Sequence, residues 1–254
     1  MRYQRREKIL DLMKRNGSVR VKELTERFGV SIETIRRDLE SLESEGLLKR
    51  VYGGAVPVSR RSVEPKFQDR KSQNDTEKHR IGALAASFIE EGDVVGIDLG
   101  TTTMELAIAL KERNIHVIVI TNSIPIAAEL SASDRIEVIL IGGRVRKNEL
   151  SVGGDLLSES NIRSFQTDKM FLGVGGITVK FGITDYRTEE AGFRRIGSSR
   201  AKVVFALADH SKFGVVAMNH ILDPEEIDVL ITDEKAPRTE VSALREKGVQ
   251  VVIA

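Results

Sequence analysis

The strongest constraint on the fold is a pair of amphipathic helical patterns separated by a three-residue break near the N-terminus. The patterns lie in VKELTERFGVSIETIRRDLESLESEG, residues 21–46, on either side of Phe28-Gly29-Val30. Such a segment folds as two short helices that meet at a tight turn and bury one apolar stripe each against a shared core. We therefore predict a helix-turn-helix at the start of the chain.

The second helix of this pair carries a polar face that suits a DNA major groove. Ser31 is the expected N-cap, with its hydroxyl available to the amide of Glu33 or Thr34. The polar face holds Glu33, Thr34 and Arg37, with Arg36 at its flank. Arg can contact guanine through two hydrogen bonds, whereas Thr can contact phosphate, a base edge or a thymine methyl. Which arginine reads a base and which holds phosphate stays open. The apolar stripe of this helix consists of Ile32, Ile35, Leu39 and Leu42.

The segments around this pair complete a DNA-binding module. Residues 5–15 have the pattern of a first helix, and residues 47–56 have that of a short β-wing that turns at Gly53-Gly54. Lys49 and Arg50 are expected to lie along the DNA backbone from this wing. The predicted DNA-contacting residues are Arg20, Lys22, Ser31, Glu33, Thr34, Arg36, Arg37, Lys49 and Arg50.

Charge is distributed unevenly between the start of the chain and the rest. Residues 1–60, which we call the head, carry 14 Lys and Arg against 9 Asp and Glu, a net charge of +5. Residues 61–254, the body, carry 25 against 29, a net charge of −4. A basic region of this kind is typical of nucleic-acid binding, because its side chains displace counterions from phosphates. The alternative is a three-helix bundle with solvated charges, but turn, cap, paired arginines and wing together favour double-stranded DNA.

The same stretch resembles a known family. The string VSIETIRRDLESLESEGLLKRVYGGAV, residues 30–56, is similar to the signature of DeoR-type bacterial transcriptional regulators. The resemblance implies a winged helix-turn-helix followed by a sensor domain related to sugar-phosphate isomerases. It also implies a repressor of a sugar or polyol catabolism operon that a phosphorylated sugar or polyol releases from its operator. Paired operator half-sites then require a homodimer or a larger homo-oligomer.

The body has the pattern of an α/β layered sheet. Two helical patterns, 67–74 and 76–91, follow an aperiodic segment bounded by Pro57 and Pro65, which is the expected linker. Continuous Val/Ile/Leu runs then alternate with helical segments, as expected of parallel strands buried on both faces. The runs are 94–98, 117–121, 138–141, 169–174, 203–208, 229–232 and 249–253. We predict a winged helix-turn-helix domain over 1–57, a linker and connecting helix over 58–75, and an α/β effector-binding domain over 76–254.

The loop after the first strand of the body is a candidate anion site. Asp98-Leu99-Gly100-Thr101-Thr102-Thr103 runs directly into a helical pattern. A glycine, three hydroxyls and a helix N-terminus can together hold the phosphate of a small metabolite. Alternatively, the threonines only cap the helix. The loop lacks the Gly-Lys-Ser/Thr of a Walker loop and is not a Rossmann fingerprint, so nucleotide-driven chemistry is unsupported.

Polar residues after other strands can meet at the same edge of the sheet. Asn122 follows the second strand, where it can bond a sugar hydroxyl, and Lys212 follows the fifth, where its charge complements phosphate. DLGTTT, TNS and ADHSKFG resemble family motifs that implicate these residues in effector binding, and Asp185 lies in another similar segment. In 147–155, Val152 stands where the family often has an aromatic, so we base no predicted ligand contact on this segment. The predicted effector-binding residues are Asp98, Gly100, Thr101, Thr102, Thr103, Asn122, Asp185 and Lys212.

Composition disfavours several classes of protein. The absence of Cys excludes disulfides and is compatible with a reducing cytoplasm. His79, His116, His210 and His220 lack the spacing of a metal site. No run approaches the roughly 18 apolar residues that span a bilayer. We expect a cytoplasmic protein with no metal, no cofactor and no membrane partner.

The competing hypothesis is a sugar-phosphate isomerase-like enzyme with an accessory N-terminal helical domain. Asp98 or Asp185, with Lys212 nearby, can move a proton next to a carbonyl if the groups lie within hydrogen-bond reach. Such an enzyme has no use for the arginine-bearing face of residues 31–37. We therefore expect a regulator and not an enzyme.

Overall fold

The structure is a computed structural model that describes residues 2–16, 19–45, 47–51, 53–56, 67–147, 149–154 and 156–254. The chain divides into two compact units, one within the head and one within the body, with the division at residue 60. The head contains one apolar core, and the body contains two. Residues 57–66, which contain the whole aperiodic segment from Pro57 to Pro65 and the first half of the predicted connection 58–75, lie outside the described residues.

Within its described residues, the head consists of three helices and a three-stranded antiparallel sheet. Its strand order is β1-β3-β2, and β2 with β3 forms the predicted wing. A Cβ on Gly54 would lie 2.1 Å from the carbonyl oxygen of Val19, so only glycine permits the pairing of β3 with β1 at this point. The elements are α1 (Arg2–Asn16), β1 (Val19–Arg20), α2 (Val21–Phe28), α3 (Ile32–Ser44), β2 (Lys49–Val51) and β3 (Gly54–Val56).

The turn between α2 and α3 depends on Gly29. Its φ of 62° lies in the left-handed region, and its N–H donates to the carbonyl of Thr25 at 2.9 Å. Glycine adopts this conformation without the penalty that a Cβ brings. Ser31 then caps α3, since its hydroxyl accepts from the amide of Thr34 at 3.2 Å. The predicted turn and N-cap are confirmed.

The apolar stripe of α3 packs inward as predicted, except at its first residue. Ile35, Leu39 and Leu42 are buried in the head core, whereas Ile32 is 53% exposed. Side chains on a helix tilt towards its N-terminus, so Ile32 projects beyond the start of α3 and past the core. The prediction for Ile32 was therefore wrong. Asp38 is buried on the inward side, where its carboxylate accepts from Arg5 Nε at 2.5 Å and joins α3 to α1.

The body contains seven helices and twelve strands. The helices are α4 (Phe67–Ser72), α5 (Asp75–Ser87), α6 (Thr101–Glu112), α7 (Ile124–Leu130), α8 (Leu156–Arg163), α9 (Thr188–Ser199) and α10 (Arg238–Glu246) among the described residues. The strands there are β4 (Val94–Ile97), β5 (Val117–Thr121), β6 (Ile136–Leu140), β7 (Val145–Arg146), β8 (Ser151–Val152), β9 (Thr167–Gly173), β10 (Gly176–Thr178), β11 (Gly182–Asp185), β12 (Ala201–Leu207), β13 (Asn219–Leu222), β14 (Val229–Thr232) and β15 (Gln250–Ile253).

Seven strands form the main sheet of the body. Their order is β15-β14-β12-β9-β4-β5-β6, and every neighbouring pair is parallel. These are the seven strands that the apolar runs predicted, with ends that differ by at most two residues. The α/β fold, with a helix-turn-helix unit at the N-terminus, is therefore confirmed.

Each face of the main sheet is covered by a core of its own. Along β9, Met170 and Leu172 point into one core, while Phe171 points into the other and stacks on Phe205 with ring centroids 4.5 Å apart. Successive side chains of a strand alternate between faces, so both faces of this strand need apolar residues. Burial on both sides accounts for the continuous apolar runs in the sequence.

Two smaller sheets were not predicted. β7 and β8 form a short hairpin, and β10, β11 and β13 form a three-stranded antiparallel sheet. These strands have two to four residues and no long apolar run. β11 also pairs with a distant part of the chain, since Asp185 lies opposite Asn219. Neither periodicity nor local turn chemistry marks such a pairing in a sequence.

Candidate functional site

The outward side of α3 carries the residues predicted to contact bases. Glu33, Arg36 and Arg37 are exposed, while Thr34 is half-buried with its hydroxyl 2.9 Å from Ser31 Oγ. Among the described residues, neither guanidinium group has an ion-pair partner. Two exposed arginines on the first turns of a helix can therefore meet a base edge or a phosphate without breaking an existing contact.

Other predicted DNA-contacting cations lie around α3. Arg20 and Lys22 are exposed at the junction of β1 and α2. Arg50, on the wing, already has a partner: its Nε lies 2.7 Å from Glu43 Oε2, and its amide donates to Glu43 Oε1 at 2.8 Å. This pair is solvent-exposed, so a phosphate can replace the carboxylate at little cost. The side chain of Lys49 lies outside the described residues.

The candidate site of the body lies where the strand order changes direction. β4 has β5 on one side and β9 on the other, and the loops that leave β4 and β9 approach closely. A Cβ on Gly173 would lie 2.9 Å from the carbonyl oxygen of Leu99. Ligands of parallel α/β sheets bind in the crevice at such a switch point. The Asp98 loop occupies this crevice.

Arg194 on α9, which the sequence reasoning missed, reaches into the same crevice. Its Nε lies 2.6 Å from Asp98 Oδ2, and its Nη1 lies 2.8 Å from Asp185 Oδ2. Glu190, one helical turn earlier, has Oε2 4.0 Å from Nη2. We call Asp98, Asp185, Glu190 and Arg194 the buried charge cluster, because each side chain is at most 7% exposed. The i, i+4 spacing of Glu190 and Arg194 was the only local feature of the sequence that could have indicated the role of Arg194.

The buried polar atoms without a hydrogen-bond partner among the described residues include Asp98 Oδ1 of this cluster and Asn122 Nδ2 beside it. The side-chain oxygen of Asn122 already has a partner, since Oδ1 accepts from the Leu99 amide at 3.0 Å. A buried polar group without a hydrogen-bond partner lowers the stability by about 1–3 kcal/mol. An acceptor and a donor that both lack partners are therefore typical of a site where a ligand supplies the missing hydrogen bonds. A hydroxyl group, which both donates and accepts, matches this pair.

The charges of the cluster are set by burial and by one another. Burial raises the pKa of Asp98 to about 7, although Arg194 opposes part of that shift. Burial alone would lower the pKa of Arg194, but Asp185, Asp98 and Glu190 raise it above its ordinary value. Arg194 therefore stays cationic, while Asp98 changes its charge near neutral pH.

The three threonines occupy the first turn of α6. Gly100 is the N-cap and provides no side chain, while Thr103 Oγ1 donates to the Gly100 carbonyl at 3.2 Å. Thr102 is buried and Thr101 is half-buried. The first-turn amides of α6 thus have no side-chain cap among the described residues, and the helix dipole adds partial positive charge there. This arrangement suits an anion.

Lys212 lies on a single 3-10 turn, His210–Lys212, that follows β12. It is half-buried and close to Lys78 of α5, whose pKa is lowered by burial and, further, by Lys212. Asp209, at the start of this turn, accepts from the Ser211 amide at 3.0 Å and from Asn74 Nδ2 at 2.8 Å. The structure thus gathers Asp98, Asn122 and Asp185 at the switch point and sets Lys212 beside the start of α5.

No His, Asp and Glu residues within the described ranges are grouped so that they could hold a metal ion. Three of the four histidines contact a carboxylate instead: His79 with Glu105, His210 with Asp233, and His220 with Asp223. A helix long and apolar enough to cross a membrane does not occur in the described part of the chain.

Models of two protein families match the chain. The DeoR-like helix-turn-helix domain matches residues 5–61, and the DeoR C terminal sensor domain matches residues 73–234. The chain belongs to the DeoR family. The match to both parts agrees with the resemblance that the residues around α3 and the wing indicated.

Curated relatives of this DeoR-family chain align along nearly its whole length. It is 35% identical over 246 residues to the HTH-type transcriptional repressor GlcR of Bacillus subtilis (strain 168), an alignment that covers 96% of this chain and 93% of the relative. It is 32% identical over 248 residues to the glycerol-3-phosphate regulon repressor of Escherichia coli (strain K12), with 98% and 97% covered. Both names describe regulators and not enzymes, as expected from the arginine-bearing helix.

Among solved structures, ribose 5-phosphate isomerase A from Methanocaldococcus jannaschii overlaps 56% of this chain and 55% of its own, with a TM-score of 0.42 and 16% identity. A likeness of this size carries no argument about activity. The predicted kinship of the body to sugar-phosphate isomerases stays a prediction.

Proposed function

We propose that this protein is a ligand-gated transcriptional repressor of a sugar or polyol catabolism operon. Its head binds double-stranded operator DNA, and its body binds a phosphorylated sugar or polyol that releases the DNA. The observation that carries the proposal is the exposed face of α3, where Arg36 and Arg37 have no ion-pair partner among the described residues. Membership of the DeoR family and the repressor names of both relatives support it.

The repressor acts as a homodimer or a larger homo-oligomer in the cytoplasm. Two heads read two half-sites about 34 Å apart, so a modest change between protomers ends simultaneous contact. The coupling this needs is ordinary, roughly 1–3 kcal/mol per ligand. The domains we assign are 1–57 for DNA binding, 58–75 for the connection and 76–254 for the effector.

The effector binds at the switch point of the main sheet. A ligand hydroxyl donates to Asp98 Oδ1 and accepts from Asn122 Nδ2, which are two of the buried polar atoms without a hydrogen-bond partner among the described residues. The phosphate lies at the start of α6, where Gly100, Thr101, Thr102 and Thr103 surround the first-turn amides. Arg194 supplies the buried positive charge of this site, and Asp185 and Lys212 border it.

One observation favours the catalytic alternative. A carboxyl group with a pKa near 7 has the acidity that suits a general base, and Asp98 has this property. Perturbed acids also occur in binding sites, however, and both relatives reported above are named as regulators. We therefore assign Asp98 to ligand binding.

The proposal is tested by fluorescence anisotropy of the full chain on DNA from its own upstream promoter, at fixed salt. Glycerol 3-phosphate, glucose 6-phosphate and ribose 5-phosphate are added in turn, with the unphosphorylated compounds as controls. We expect sequence-specific binding that one phosphorylated compound relieves. Binding no tighter than to random DNA would contradict the role of α3.

The site is tested with Thr102→Val, because Thr102 is buried on the first turn of α6. This variant should bind DNA as the parent does but need at least tenfold more of the releasing compound. Thr239→Val, an exposed substitution on α10, is the matched control and should respond like the parent. A response of Thr102→Val at the parent's concentration would show that the crevice is assigned wrongly.

A further inference from the structure

A series of opposite charges leads from the buried charge cluster to α4. Glu190 Oε1 accepts from Arg146 Nη1 at 2.5 Å, and Arg146 Nη2 lies 3.4 Å from Glu149 Oε1. Glu149 Oε2 accepts in turn from Arg70 Nη2 on α4. We call this series the relay; its members in spatial order are Asp98, Arg194, Glu190, Arg146, Glu149 and Arg70.

The relay is shielded from solvent. The carboxylates of Glu190 and Glu149 are 1% and 2% exposed, and Arg70 and Arg146 are 16% and 21% exposed. Salt and water screen such pairs far less than surface pairs. Removing one partner of a buried pair also leaves an uncompensated charge, which is strongly unfavourable. If an ion pair at one end of the relay is weakened, a buried charge is therefore left uncompensated. The next residue of the relay then has to change its own pairing.

The β7–β8 hairpin, on which no predicted ligand contact was based, carries the centre of the relay and contacts the crevice. It supplies Arg146 and Glu149, and Ser151 Oγ donates to Glu190 Oε1 at 2.9 Å. Its backbone also meets the crevice, because the Val152 amide donates to the carbonyl of Asn122 at 2.8 Å. The hairpin thus contacts both the cluster and a proposed ligand-binding residue.

The end of the relay lies on the part of the body nearest in the chain to the head. α4 is the first described element after residue 56, and the chain has no Cys, so residues 57–66 are its only covalent route to the wing. Lys78 Nζ donates to the carbonyls of Arg70 and Gln73, which fixes the end of α4 on α5. A displacement of Arg70 therefore displaces α4, and residues 57–66 connect α4 to the head.

Charge balance explains why a ligand would disturb the relay. Asp98, Asp185 and Glu190 surround one guanidinium, so the fully ionised cluster has an excess of negative charge. A phosphate group adds about −1.5 to −2 at pH 7. A dianion at the start of α6 competes with these carboxylates for Arg194, and Arg146 then balances a larger share of the charge of Glu190.

We propose that the relay couples ligand binding in the crevice to the position of α4. A phosphorylated ligand draws Arg194 away from Glu190, Glu190 competes more strongly with Glu149 for Arg146, and Arg146 moves away from Glu149. The ion pair of Glu149 with Arg70 then rearranges and α4 shifts. This shift acts on residues 57–66, which connect α4 to the head. The inference rests on the proposed function and names the residues through which release is transmitted.

The first test separates coupling from binding. Glu149→Gln keeps the shape of the side chain and removes its charge; Glu129→Gln, which breaks the pair of Glu129 with Lys111, is the matched control. In full-length protein, Glu149→Gln should bind promoter DNA and the releasing sugar phosphate within twofold of the parent. The loss of DNA affinity that the compound causes should shrink at least tenfold, and the control should behave as the parent. Release equal to the parent's, or an equal loss of ligand affinity, would overturn the proposal.

The second test needs no identified ligand. Hydrogen exchange of the peptide covering residues 67–78 is compared in the parent, Asp98→Asn and Glu129→Gln, with and without inorganic phosphate. Asp98→Asn, at the far end of the relay, should change exchange in this peptide at least threefold while strand β5 stays as protected as in the parent. Unchanged exchange in Asp98→Asn would overturn the relay even if the protein proves to be a ligand-gated repressor. A change there with no releasing compound in the panel would support the relay and count against the proposed effector class.

Discussion

Asp98 combines complete burial with an ion pair, and the balance between the two sets its charge. Burial raises the pKa of Asp98 from 3.8 to about 7. Between these values the folded protein holds a proton that the unfolded chain has released, so the free energy of unfolding falls as pH rises through 7. For this group alone the fall is about 2 kcal/mol between pH 5.5 and 8.5.

Asp98→Asn should therefore flatten the decline in stability over this range, because an amide does not titrate there. Urea unfolding of the full chain at pH 5.5, 7 and 8.5 measures the slope for parent and variant. Asp134→Asn, an exposed substitution in the loop before β6, is the control and should keep the parent's slope. Equal slopes in Asp98→Asn and the parent would mean that Asp98 does not titrate in this range.

Arg36 and Arg37 are adjacent on α3, and substituting each of them in turn shows which part of the DNA it contacts. Arg37→Ala should weaken operator binding more than tenfold and leave ligand binding intact, since each head loses a contact of Arg37 to a base edge or to phosphate, and a bidentate base contact is worth roughly 1–3 kcal/mol. Arg27→Ala, on the exposed side of α2, is the control. Unchanged operator affinity in Arg37→Ala would remove it from the recognition surface.

The same substitution at Arg36 identifies the base reader. Loss of a base contact relaxes preference at one base pair, whereas loss of a phosphate contact weakens binding to all sequences alike. Anisotropy titrations of both variants against a set of single-base operator changes distinguish the two outcomes.

Sequence reasoning found the polar residues at strand ends but missed the arginine between them. Asp98 and Asn122 follow continuous apolar runs, so their place at the sheet edge was predictable. Arg194 meets Asp98 across 96 positions of sequence, and its neighbour Arg195 is exposed and bonds the His220 carbonyl. Two adjacent arginines of one helix thus have opposite environments, which only the packing of α9 decides.

At the scale of elements, the α2–α3 turn depends on the backbone of one glycine. A Cβ on Gly29 would touch nothing within 4 Å, so any cost of substitution comes from its φ of +62°. Gly29→Ala should destabilise the head by about 1–2 kcal/mol, whereas Gly29→Asn should cost less because Asn tolerates this region. Hydrogen exchange of α3 amides in the two variants measures the difference. Equal protection in Ala, Asn and parent would show that the turn carries no such strain.

Elements with strong local signals were predictable, and those that depend on distant partners were not. The main strands followed from runs that are apolar on both faces, and the wing followed from its glycine pair. β10, β11 and β13 are short, β11 pairs with the distant strand β13, and β1 has two residues. The burial of Ile32 was predicted wrongly for a different reason. Helical periodicity assigns Ile32 to the apolar stripe but does not show where the core ends.

At the scale of the whole molecule, the opposite charges of head and body predict different responses to salt. If the heads make 6–10 phosphate contacts in all, raising salt from 50 to 200 mM should weaken operator binding by about 10³–10⁵-fold. Ligand affinity should change much less, because the buried charge cluster is poorly screened. Parallel titrations of DNA and ligand over this range compare the two slopes. Similar slopes would contradict the assignment of DNA to the basic head.

The separate cores of head and body also bear on how such proteins diversify. The loops that we propose to bind the ligand lie at strand ends, outside the interlocked side chains of β9 and its neighbours, and α3 belongs to another unit. Substitutions in the Asp98 loop can therefore change which metabolite is sensed without disturbing either core or the operator that is read. Duplicated genes of this design can acquire new inducers and new target promoters in independent steps.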